Sequence, residues 1–113
     1  MEITKDYLRY SFNVREIAGK MIRDKFCLFG QETKNKEIEP FFRVNEDTKL
    51  FYDCLKIVLD ENNIKYKELR NMNFRRSLII SGYNECFKFY RLFKTELIRL
   101  NNKIYDWFKE KNE

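Results

Sequence analysis

The chain contains no histidine. That removes Ser-His-Asp and Cys-His nucleophilic sites, histidine-based nuclease motifs and ordinary His-containing zinc sites together. Any catalysis would fall to carboxylates, Lys, Arg, Tyr or a water on a hard metal. Glycine is scarce: Gly19, Gly30 and Gly82 stand apart, so no glycine-rich phosphate loop exists. Pro40 is the one proline, and with so few breakers most of the chain is expected in regular structure. Cys27, Cys54 and Cys86 are odd in number, far apart and set among apolar neighbours, without a Cys-x-x-Cys pair. This points to buried thiols. No apolar run approaches the ~20 residues that span a bilayer. The stretch Met1-Glu2-Ile3-Thr4-Lys5-Asp6 is not a signal peptide. An intracellular protein with no membrane partner is expected.

What is present is mostly core and charge. With 113 residues and 43% hydrophobic side chains, the chain can bury a core without metals or disulfides, so residues 1–113 read as one domain. Eleven Phe, seven Tyr and one Trp make that core aromatic. The net charge of +5 comes from 23 basic against 18 acidic residues, an excess whose meaning depends on where it falls.

The spacing of Val14, Ile17, Ala18, Met21 and Ile22 predicts an amphipathic helix over Asn13 to Asp24, and Asn13 with Glu16 fits a capping box. Lys25 to Phe29 reads as a strand, followed by a polar stretch from Gly30 to Lys36. Glu37 to Val44 is a second strand with Ile38, Phe42 and Val44 on one parity and Arg43 on the other; Pro40 suggests an edge strand or a bulge. Asp47 caps a helix through Asp60 that stops at Asn62-Asn63. Ile64 to Arg70 and Phe74 to Ser81 form a hairpin joined by Asn71-Met72-Asn73. In its second strand Phe74, Leu78 and Ile80 share one parity and Arg75, Ser77 and Ser81 the other, with Arg76 breaking the pattern. A helix from Ser81-Gly82 and a last helix over Thr95 to Glu110 complete an α+β chain. Its order implies a four-stranded antiparallel sheet with helices on one face and the other face open. Between Asn62 and Ser81 lie Lys65, Lys67, Arg70, Arg75 and Arg76 against the single acid Glu68. This density of positive charge on one hairpin points to nucleic acid.

The segment Ile17-Ala18-Gly19-Lys20-Met21-Ile22-Arg23-Asp24-Lys25, leading into the strand that follows, resembles the motif of the LAGLIDADG homing endonucleases. Ile17-Ala18-Gly19 matches its opening Leu-Ala-Gly, and Asp24 its second Asp. The element order that follows is similar to the family's αββαββα repeat, with a Phe-Arg-Val strand entering the middle helix. With one motif in the chain, the resemblance implies a homodimer in which Ile17, Ala18, Gly19, Met21 and Ile22 pack against their copies on a two-fold axis. It implies Asp24 as catalytic residue and metal ligand, holding Mg²⁺ beside the scissile phosphates. It further implies double-stranded DNA held on a saddle-shaped sheet by Lys34, Arg43, Lys65, Lys67, Arg75 and Ser77. Ile22 stands where the family has its first Asp and Lys25 where it has its closing Gly, and an ammonium beside Asp24 opposes cation binding. Three functions are therefore compatible with the chain. They are a DNA-binding homodimer, an active Mg²⁺-dependent endonuclease, and an inactive protein-interaction or inhibitor module using the same surface.

Overall fold

In the computed structural model, residues 13–24, 27–46, 48–70 and 76–109 are described. The first helix, α1 (Val14–Arg23), starts where the sequence indicates: Asn13 Oδ1 accepts the Glu16 N–H at 3.1 Å, one half of a capping box. A hairpin of β1 (Cys27–Lys34) and β2 (Glu37–Glu46) follows. β1 continues through the polar stretch that begins at Gly30. Asn35 and Lys36 both hold positive φ, at 53° and 67°, the two-residue turn whose twist matches antiparallel strands, and it keeps Gly30 to Lys34 in register with β2.

The second helix, α2 (Lys49–Glu61), begins after Thr48, which makes no side-chain cap bond; the expected cap Asp47 lies outside the described residues. It ends as the sequence indicates, with Asn63 at φ 55° behind the Asn62 cap. The second hairpin pairs β3 (Lys67–Arg70) with β4 (Arg76–Ser81), and its expected turn, 71–73, lies outside the described residues. Three helices close the chain: α3 (Tyr83–Leu92), α4 (Lys94–Leu100) and α5 (Asn102–Lys109). The single helix expected over Thr95 to Glu110 is thus divided. Asn101 is extended, at φ −160°, and its Oδ1 accepts the Lys103 N–H at 3.0 Å, so the side chain competes with the helix for a backbone donor.

The strands form one antiparallel sheet in the order β1-β2-β4-β3. β2 is therefore interior, not the edge strand that Pro40 suggests. The Pro40 carbonyl accepts the Gly82 N–H at 3.1 Å, which places its missing N–H on the β4 side, one position beyond the last β2–β4 pair, Phe41 with Ser81. No ladder bond is lost there. Gly82 itself, at φ 89°, makes the turn from β4 into α3, a conformation that strains any residue with a Cβ.

One face of the sheet carries the core. Cys27, Phe42, Val44, Leu78 and Ile80 are all buried, and they lie opposite one another across the strands. α3 packs on β2 and β4 and α2 on β2, while α1 lies against α2 and α4. Phe42 is fully buried with ring centroids 5.1 Å from Phe29, 5.1 Å from Phe89 and 6.2 Å from Phe108. A buried ring of this kind stabilises by roughly 2–3 kcal/mol. Ile38 shares this parity but is 60% exposed, because β1 and β2 run on beyond the end of β4 as a two-stranded arm. Among the described residues no helix is long and apolar enough to cross a membrane.

Candidate nucleic-acid interface

Side chains that alternate away from the core meet on the opposite face of the sheet, which no described helix covers. Their cross-strand rows follow from the register. Leu28, Arg43, Ile79 and Lys67 form one row, Asn45, Ser77 and Leu69 a second, and Gly30, Phe41 and Ser81 a third. Leu28 is 58% exposed in this surface. The Phe41 ring lies over Gly30, where a Cβ would meet its Cζ at 2.4 Å; glycine is what lets the ring lie flat across the neighbouring strand.

Arg43 sits at the centre. Its Nε donates to Asn45 Oδ1 at 3.3 Å and its Nη2 to Ser77 Oγ at 3.5 Å, while the Ser77 hydroxyl donates to Asn45 Oδ1 at 2.6 Å. The guanidinium is thereby held by two strands before any partner arrives, which lowers the entropy lost when its remaining donors are used. Each such bond contributes about 1 kcal/mol.

The residues expected to contact DNA separate in space. Arg43 and Lys67 share the open face, two strands apart, with Lys67 exposed. Lys34 is on the same face but out on the arm, directly opposite Glu37, with Glu32 opposite Glu39 next to it. Its charge is offset locally. Ser77 is only 2% exposed, so it positions Arg43 and Asn45 and does not itself reach a ligand. Lys65 precedes β3, and its N–H donates to Glu85 Oε2 at 2.8 Å. Burial pushes the Glu85 carboxyl up, but the Lys65 N–H and the Lys88 ammonium outweigh it and hold the group below the usual range. Arg75 lies outside the described residues. Arg76 is on the core parity, opposite Glu46, so the basic hairpin of the sequence is split between the two faces.

Asp24 caps the C-terminus of α1, where it is exposed, and its N–H bonds the Lys20 carbonyl at 2.9 Å. With Ile17, Lys20, Met21, Glu46 and Phe51 it lines a recess of about 200 Å³. Glu46 is 6% exposed; its Oε1 accepts the Thr48 N–H at 2.9 Å, and its Oε2 has no partner among the described residues. Among the described residues the recess offers Mg²⁺ two carboxylates, with the Lys20 ammonium in the same lining, whereas Mg²⁺ takes an octahedron of oxygens and retained waters. Among the described residues no group of three or more His, Cys, Asp or Glu is placed to hold a metal ion. Lys25, which opposes cation binding in the sequence, lies outside the described residues.

The residues expected at a dimer seam are already engaged within the chain. Ala18, Met21 and Ile22 are buried in the core, and Gly19 is buried beside α4, with Glu96 Oε1 3.3 Å from where its Cβ would be. Ile17 is half-buried against Cys54 and Ile57 of α2. The small residues therefore admit α4 of the same chain. A second copy of α1 along this stripe would have to displace it.

Asn45, Phe41 and Leu28 belong to the surface but escape a reading based on charge. The alternation of β2 does put Phe41, Arg43 and Asn45 on one parity, and that is the signal the sequence offers. Comparison with family models, with curated proteins and with solved structures finds no match to this chain.

Proposed function

We propose that this chain binds double-stranded DNA as a single copy through the face of its sheet that no described helix covers. Arg43 reads or clamps the ligand and Lys67 neutralises phosphate. The observation that carries the reading is the tethering of Arg43 by Asn45 and Ser77, which fixes a planar donor fork on the sheet face that no described helix covers. The net charge of +5 supplies a favourable field for a polyanion. The order helix, two strands, helix, two strands, helix supports a likeness to one LAGLIDADG repeat. The two-fold pairing through α1 is left out of this reading because α2 and α4 occupy its apolar face. No cleavage step is assigned, because the described residues of the Asp24 recess bring only Asp24 and Glu46 as carboxylates.

The test is fluorescence anisotropy with a random duplex at rising salt. Affinity is expected to fall by an order of magnitude or more between about 50 mM and about 200 mM salt. Arg43→Ala and Lys67→Ala are each expected to weaken binding and to reduce the salt slope by about 1 for each phosphate no longer neutralised. Salt-independent binding, or none, removes the proposal. A second reading, a protein-interaction surface, is favoured by Leu28, 58% exposed in the same row as Ile79 with Arg43 between them. It requires instead that Leu28→Ser abolish partner binding while added salt leaves it intact.

A further inference from the structure

On the helical side of the molecule, away from the open sheet face, α3, the start of α4 and α5 surround a recess of about 350 Å³. Its floor and walls are the rings of Phe87, Tyr90, Tyr105 and Phe108, and its rim carries Arg91, Lys94 and Lys109, with no acidic residue in the lining among the described residues. The volume is within the range of small-ligand pockets. The cations lie against the rings. Arg91 Cζ is 5.8 Å from the Phe87 centroid, and Lys94 Nζ and Lys109 Nζ are 5.9 Å and 5.2 Å from that of Tyr105. Four other basic residues have carboxylate partners, Lys49 with Asp53, Lys56 with Glu68, Lys88 with Glu85 and Arg23 with Glu96. Arg91, Lys94 and Lys109 are exposed and have none among the described residues. Two ammonium groups sharing one ring repel each other, and a phosphate between them would turn that repulsion into attraction.

We propose that this recess binds a nucleoside phosphate. The base stacks on the accessible surface of Phe87 and Tyr105, both half-buried, and the phosphate is held by Lys94, Lys109 and Arg91. An inorganic anion would use the rim and leave the rings idle, whereas an uncharged aromatic would leave the cations unpaired. A phosphorylated base uses both. Such a ligand is either a free mononucleotide or the phosphorylated end of a nucleic-acid strand. The site is separate from the face assigned to duplex DNA and does not depend on that reading.

The experiment is calorimetric titration of the full chain with AMP, inorganic phosphate, adenosine, and a short single strand with or without a 5′-phosphate. Trp107, whose ring centroid is 6.2 Å from that of Phe108, gives an independent fluorescence signal. AMP is expected to bind at least about tenfold more tightly than phosphate or adenosine. Lys94→Gln with Lys109→Gln should weaken AMP by about tenfold or more, and Lys94→Arg with Lys109→Arg should retain it. Tyr105→Leu should erase the advantage of AMP over phosphate, and circular dichroism confirms that each variant is folded. Arg43→Ala with Lys67→Ala should leave AMP binding unchanged, so failure of the duplex reading is told apart from failure here. Tighter binding of AMP than of either strand assigns a free nucleotide; tighter binding of the 5′-phosphorylated strand than of AMP and of its hydroxyl counterpart assigns a strand end. AMP no tighter than phosphate, an unaffected glutamine double variant, or phosphotyrosine bound more tightly than AMP overturns the proposal.

Discussion

Cys27 illustrates how a side chain with reactive chemistry is made inert by its surroundings. Burial raises its thiol from the ordinary 9.0 to about 12, and burial likewise raises Cys54 and Cys86. The Cys86 Sγ also lies 3.4 Å from the Pro40 carbonyl oxygen and 3.3 Å from that of Ile80, contacts that suit the protonated thiol as donor. Two consequences follow for solution behaviour. Alkylation by iodoacetamide at neutral pH is expected to be slow in the native protein and to reach all three cysteines once it is unfolded in urea. The pH dependence has a definite sign. Unfolded thiols lose their protons near 9.0 while the folded Cys27 holds its own to about 12, so stability is intact below about pH 9 and declines as pH rises through that window. Tyr52 and Tyr66 act the same way, raised by burial and by hydrogen bonds to Glu68 and Asp60. A urea midpoint that stays level up to about pH 11 would contradict this. At this scale the sequence is a good guide to which side chains are buried and a poor one to how far the covering layer extends. Alternation places Ile38 with Phe42 and Val44, yet it cannot show that β4 ends before Ile38 is reached.

Among the elements, the β1–β2 hairpin shows how a short turn overrides composition. Gly30 to Lys34 is polar and has little strand propensity, but Asn35 and Lys36 at positive φ bring Lys34 opposite Glu37, and the ladder then closes on both sides. Asn tolerates that conformation through its short polar side chain, whereas Lys36 at φ 67° carries a Cβ penalty of about 1 kcal/mol. Lys36→Gly is therefore expected to stabilise the protein by about 1 kcal/mol, seen as a higher denaturant midpoint with an unchanged slope. A lower midpoint would mean that Lys36 makes a compensating contact. The division of the last helix was legible in principle from the Asn101-Asn102 pair, since the similar pair Asn62-Asn63 correctly marks the end of α2. The apolar stripe running from Leu97 to Phe108 obscured it, because two short helices meeting at Asn101 still bury Leu97, Ile104 and Phe108 in one core.

For the molecule as a whole, the order of elements and the four-stranded antiparallel sheet are legible from periodicity, because each amphipathic stripe needs a covering partner. The distribution of charge is not. Basic residues close together in sequence fall on both faces of a sheet, so Lys67 faces outward while Arg76 turns toward the helices. The role of α1 is also hidden at sequence level, since an Ala-Gly pair permits close approach of any helix and cannot specify whether the neighbour is α4 or a second copy. With α4 against Gly19, sedimentation equilibrium without DNA is expected to return the mass of one chain. A stable dimer that disappears on Gly19→Leu would reverse that assignment. The arm has one more consequence. Its tip, Asn35-Lys36, is exposed and joins strands that share eight cross-strand pairs. A peptide bond broken there removes no packed side chain, so the chain lends itself to being supplied as two pieces, one ending at the tip and one beginning there. Their reunion would report on proximity of whatever each piece is fused to.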